Sequence, residues 1–186
     1  MKKQFVFLFY ALLTATTLFS FTGKSIAADP TPIALPKDLP ADLKLPDNEI
    51  VFLKLHAEGM QNYICREGQG WIFTEPVATL YDDKKVAVGR HSIGPSWVST
   101  VDDSWAIGQA VKSFEPKNKN NIPWRLFTAK DHRGTGVFSD VTSILQVKTQ
   151  GGKVPPSKPC STVAHFNRTF PAQYKATYYF SKRKLD

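Results

Sequence analysis

The sequence predicts an all-β domain, an antiparallel β-sandwich or barrel of about 8 to 10 short strands. Three observations predict it. β-Branched and aromatic residues recur in short runs, Gly, Pro or Asp separates those runs at spacings of about 8 to 12 residues, and no segment carries a capped amphipathic helical period. With 186 residues, 42% hydrophobic and 22% charged, the chain is long enough for one packed domain, too short for several, and too apolar for wholesale disorder.

Residues 1–27 have the order of a secretory signal peptide: Lys2 and Lys3, an uncharged run from Gln4 to Gly23, then small residues at Ser25, Ala27 and Ala28. The run has bilayer length, but Thr14, Thr16, Thr17, Ser20 and Thr22 dilute it, so it reads as a signal cleaved near Ala27, with a retained anchor as the alternative. Export to a secreted or periplasmic location follows, with no membrane span after cleavage. No Cys stands at the processing site, which disfavours a lipid anchor. Residues 28–47 hold Pro30, Pro32, Pro36, Pro40 and Pro46 and read as a proline-rich leader in extended or polyproline conformation.

The β domain is placed at residues 48–181, with a basic tail over 182–186. Its predicted strands begin with Ile50–His56 and, after Gly59, Met60–Arg66. Gly68-Gln69-Gly70 turns the chain into Trp71–Thr74, and Pro76 divides this from Val77–Tyr81. Val86–Arg90, Trp97–Thr100, Ser104–Val111, Trp124–Ala129, Val137–Thr149 and Gln173–Ser181 follow. Within Val137–Thr149, Asp140–Lys148 has a helix-compatible pattern, but Val141, Thr142, Ile144 and Val147 favour strand. Gly151 to Pro171 reads as a loop.

Removing residues 1–27 takes away Lys2, Lys3 and Lys24 and no acid, which leaves 21 basic against 16 acidic side chains, a mild net +5. The excess sits in short clusters such as Lys117 with Lys119 and Lys182-Arg183-Lys184, with no basic helix or RNP-like motif, so a nucleic-acid partner is not expected. The clusters read as solvated charge, with loose attraction to anionic lipid, glycan or peptidoglycan as the alternative. Cys65 and Cys160 are the only cysteines, and an even pair in an oxidising compartment reads as one disulfide. It would close a loop of about 96 residues, for which chain entropy sets an upper value of about 4.7 kcal/mol. There is no CxxC, and two isolated thiols do not supply a metal site.

Several blocks are distinctive: Met60 to Cys65, Trp71-Ile72-Phe73 with Pro76, Val88 to Trp97, Ile122-Pro123-Trp124, Gly134 to Phe138, and Gly151-Gly152 with Cys160. In composition and order they resemble the DUF3455 family over roughly residues 35 to 180, and the GxHxxGPxW pattern from Gly89 to Trp97 is the most specific element. The resemblance implies a secreted or periplasmic protein and brings no assigned activity and no catalytic residue. The chain departs from the family where members usually read Asp-Gly-Ser and it has Asp102-Asp103-Ser104, and again in its basic tail.

His91, inside that pattern and followed by Trp97, Asp102, Asp103 and Trp105, marks a candidate ligand site. Imidazole titrates near neutrality, a nearby carboxylate would fix its tautomer, and Gly89 and Gly94 would admit a ligand close to the backbone. The plainer account gives His91 a structural hydrogen bond and the glycines tight turns. Trp71, Trp97, Trp105 and Trp124 with Tyr63 and Tyr81 suit either a core or an aromatic platform for a sugar ring, and Trp97 and Trp105 bracket a polar turn.

Gly94-Pro95-Ser96-Trp97-Val98 fails the GxSxG pattern at its last position, and His56, His91, His132 and His165 show no HxH or HExxH spacing, so neither a Ser nucleophile nor a metal is expected. Gly134-Thr135-Gly136 lacks the third glycine and the helix of a dinucleotide site; it reads as a tight turn, and no cofactor is expected. Asn167-Arg168-Thr169 is a glycosylation sequon only in a host that glycosylates exported proteins. The first functional expectation is therefore non-catalytic binding of a ligand, a glycan or another envelope component, through His91 to Trp105. The second is an envelope hydrolase or lyase using His91 with Asp102 or Asp103, and the third a structural or assembly role.

Overall fold

A computed structural model describes residues 33–184. The predicted signal peptide and the first residues of the leader lie outside them. Eight antiparallel strands form one closed barrel in sequence order: β1 Glu49–Arg66, β2 Gly70–Tyr81, β3 Ala87–Ser92, β4 Ser96–Ser99, β5 Trp105–Phe114, β6 Trp124–Arg133, β7 Ser143–Gly151 and β8 Thr169–Arg183. β8 closes on β1, from Glu49 opposite Arg183 to Ile64 opposite Thr169. Closure removes free sheet edges, and the alternation of side chains sends one residue in two to the interior.

Not all the strands are short. Gly59 and Pro76 were expected to divide two pairs of strands, yet β1 and β2 run through both positions, opposed as Gly59–Ala78 and Gln61–Pro76. Gly59 allows close backbone approach, since a Cβ there would collide with the Val77 carbonyl oxygen. A third expectation fails between Val137 and Thr142: β7 starts at Ser143, and the preceding segment is a connection that turns Phe138 and Val141 inward, 1% and 0% exposed. Those two side chains plug one end of the barrel. The tail is strand as far as Arg183, and the Lys184 amide donates to the Asn48 carbonyl at 2.9 Å.

The interior core joins Leu55, Leu80, Trp97, Phe127, Ile144, Tyr178 and Phe180 to the plug. A second cluster lies outside the wall, where Val51, Leu126, Leu145, Val147 and Tyr179 face Ile33, Leu35, Leu39, Leu43 and Leu45. This outward apolar stripe explains why residues 33–47 lie against the barrel. Leu43, in the 3-10 turn Ala41–Leu43, is completely buried, while Pro40 and Lys44 on either side are extended.

Up-and-down topology fixes which loops share an end. The β1–β2, β3–β4, β5–β6 and β7–β8 connections lie at one end, called the mouth. The β2–β3, β4–β5 and β6–β7 connections lie at the other, with the plug. Cys65 and Cys160 are joined by a disulfide that fixes the long β7–β8 connection to the end of β1, helped by backbone bonds from Cys65 N to Arg168 O at 2.9 Å and from Asn167 N to Cys65 O at 2.8 Å.

Candidate functional site

Between the mouth and the central core lies a cavity of about 500 Å³, inside the range of small-molecule sites. Its wall takes Gln61 and Tyr63 from β1, His91 from β3, Arg125 and Phe127 from β6, and Gln146 from β7. Trp71, Phe73, Ile93 and Pro95 stand toward the mouth, where Phe73 and Ile93 are exposed. The aromatic character of the wall follows from strand sequences rich in Tyr, Trp and Phe at inward positions.

His91 belongs to this cavity and is only 3% exposed. Its ring stacks on Trp97 at 4.7 Å between centroids and 15° between planes, and Tyr178 leans against it at 5.2 Å. Nδ1 lies 2.9 Å from the Ser96 carbonyl oxygen. A carbonyl only accepts, so Nδ1 carries the proton and Nε2 is left as an acceptor, with no protein donor among the described residues. Burial lowers the imidazole from its ordinary 6.5 to about 4, against the opposing pull of the Ser96 bond. His91 is therefore neutral at neutral pH, and the unfolded chain binds its proton first. Stability from this group is complete above pH 6.5 and is lost as pH falls toward 4. Between pH 7 and 4.5 the loss is expected to be about 2–3 kcal/mol, read as a falling urea midpoint. His91→Gln should flatten that slope; an unchanged slope would show that His91 does not titrate in this way.

Trp97 is fully buried beneath His91, and Phe127, Tyr178 and Phe180 meet it edge-on at 5.2, 5.6 and 6.2 Å. Its place depends on Gly108, where a Cβ would come within 2.8 Å of the indole. Trp97 is thus the floor beneath His91 and does not line the cavity itself.

The other three sequence candidates are elsewhere. Asp102 and Asp103 occupy the β4–β5 turn at the plug end, separated from His91 by the length of β4. One carboxylate oxygen of Asp102 accepts from the Ser104 hydroxyl at 2.6 Å and the Ser104 amide at 3.0 Å, and the other accepts from the Val137 amide at 2.8 Å. The Ser104 hydroxyl in turn accepts from the Phe138 amide at 3.0 Å, which ties the plug to the turn. These donors, the Ser104 hydroxyl first, hold the Asp102 carboxyl down at about 2. Asp103 is exposed with φ of 58°, in the left-handed region where Gly is favoured and Asp is tolerated. This accounts for the departure from Asp-Gly-Ser. Trp105 alternates with the inward Ala106 and meets the Arg133 guanidinium at 5.7 Å. The hydrolase or lyase reading needs a carboxylate on His91, and the bond found there is to Ser96 instead.

Sequence reasoning missed Gln61, Arg125 and Gln146, and singled out Tyr63 only as one of several aromatics. Arg125 carried a signal: it lies two residues before Phe127 in a strand, so the two share a face. Tyr63 donates to the Gly152 carbonyl at 2.8 Å, and Gln146 is held by Tyr178 at 2.7 Å and by the Pro123 carbonyl at 2.8 Å. Among the described residues, no three His, Cys, Asp or Glu side chains gather into a metal-binding group.

An eight-stranded up-and-down barrel with an aromatic and polar cavity under its mouth is the class of protein these residues define. The family model described as "Protein of unknown function (DUF3455)" matches residues 46–182, and the chain belongs to that family. Neither the curated proteins nor the solved structures yielded a match.

Proposed function

We propose that this protein is an exported binding domain that holds a small molecule in the barrel cavity without transforming it. The observation that supports this most is the cavity itself, whose wall combines apolar area with a few polar groups that are fixed in place. An eight-stranded barrel is wide enough for its side chains to fill it or for one small ligand. Here the lower half is filled and the upper half is not. Among the described residues no carboxylate bonds to His91, whose Nε2 would serve as a hydrogen-bond acceptor for the ligand. Export is supported by the order of residues 1–27 and by the disulfide, which suits an oxidising compartment.

The test uses a neutral probe, N-phenyl-1-naphthylamine, whose fluorescence rises on entering an apolar site. Saturable binding of one probe per chain is expected for the oxidised mature domain. Ala110 lines the cavity but is exposed, so Ala110→Trp would narrow the site without overpacking the core, and the signal should fall at least about tenfold in affinity. Absence of binding by the wild-type domain, or equal binding by a folded Ala110→Trp variant, would overturn the proposal.

A further inference from the structure

The charges in the cavity wall are all of one sign. Among the described residues its lining includes Arg125 and Lys153 and no Asp or Glu. Lys153 is paired with Glu115 at 2.9 Å on the exposed side. Arg125 has no ion pair and no side-chain hydrogen bond among the described residues. The strand places it there, since it shares the inward face with Phe127 and is only partly exposed. A guanidinium held between aromatic and aliphatic walls feels weak competition from water, and it presents a planar fork of donors matched to a carboxylate.

A second polar group points to the same ligand. Gln61 is 6% exposed and lines the cavity. The buried Tyr174 hydroxyl, which has no hydrogen-bond partner of good geometry, lies close enough to the Gln61 amide for the two to interact. A carboxamide carries two N–H donors and an acceptor oxygen, more than one hydroxyl neighbour can engage, so Gln61 keeps a donor for a bound polar group. The rest of the wall, Phe127, Ile122, Pro95 and the aromatics of the mouth, asks for an apolar body.

We infer that the ligand is a small monocarboxylate with an apolar body, its carboxylate on Arg125 and within reach of Gln61, and its body against the aromatic wall. This rests on the cavity being the binding site. The cavity is large enough for a two-ring aromatic acid or a medium-chain aliphatic acid, and the two bodies are arms of the test. Phosphate diesters and neutral glycans fit less well, because one unpaired cation faces a mainly apolar volume.

The experiment compares displacement of N-phenyl-1-naphthylamine from the full mature domain by naphthalene-2-carboxylate and by its neutral isostere naphthalene-2-carboxamide, with decanoate and 1-decanol as the aliphatic pair. The acid of at least one pair should displace the probe at a concentration at least about tenfold lower than its neutral partner, as a charge-assisted fork requires. Arg125→Gln should abolish that preference while retaining probe binding, and Arg125→Lys should restore part of it. Because Arg125→Gln alters the wall, the wild-type preference is also measured against added sodium chloride, where it should shrink little if the pair is sheltered. Equal potency of acid and neutral partner in both pairs would overturn the carboxylate inference and leave the cavity reading in place. Failure of the probe itself to bind the wild type would overturn both.

Discussion

Trp97→Ala is expected to remove about 3–5 kcal/mol of stability, the largest effect of any single substitution considered. The indole is completely buried and touches four rings, those of His91, Phe127, Tyr178 and Phe180. These belong to β3, β6 and β8, and Trp97 itself to β4, so one side chain fills the space between opposite walls of the barrel. Closed walls limit collapse around the vacancy, which places the cost near the top of the range for large-to-small changes. Trp105→Ala is the matching control. Its ring lies on the outer face with Arg133, and its loss should cost about 1 kcal/mol or less. Urea unfolding of the oxidised domain gives both values, and comparable losses at the two positions would refute the assignment of Trp97 as the floor.

Breaking the Cys65–Cys160 bridge should cost nearly as much. The two residues are 95 apart in sequence, so reduction releases a long loop in the unfolded chain, with a cost of about 2–5 kcal/mol. The change also reaches the cavity. The bridge holds the β7–β8 connection, which supplies Lys153 and Val154 to the wall, and the Trp71 indole donates to the Lys158 carbonyl at 3.1 Å. A Cys65→Ser/Cys160→Ser variant should therefore lose probe affinity even under conditions where it remains folded. Full probe affinity in a folded variant would separate the bridge from the mouth and contradict this coupling.

Much of this fold was legible in the chain because alternation carries it. In β8, Tyr174, Ala176, Tyr178 and Phe180 occur at every second position, and all face inward. Misreadings came where a residue usually taken as a breaker had a different task. Gly59 serves a close crossing of β1 and β2, and Pro76 sits within β2 near the bulge at Asn62/Tyr63. Val137 to Thr142 has strand composition, but its apolar residues serve as a plug, and nothing local distinguishes burial in a plug from burial in a sheet.

The candidate site was half legible. His91 and Trp97 stack because they are paired across β3 and β4. Asp102, Asp103 and Trp105 looked like neighbours because sequence distance was short, but β4 carries the chain to the opposite end. Arg125 and Gln146 are paired across β6 and β7, and Gln61 on β1 joins them only through the closure of β8 on β1, which no local pattern contains.

The most direct measurement is a residue-by-residue map of binding by amide and side-chain NMR, with N-phenyl-1-naphthylamine titrated into the oxidised mature domain. The expected shifts gather at Gln61, His91, Ala110, Arg125 and Gln146 and leave Asp102, Asp103 and Trp105 unmoved. Shifts confined to the outer wall or to the β4–β5 turn, or none at saturating probe, would contradict a binding site inside the barrel.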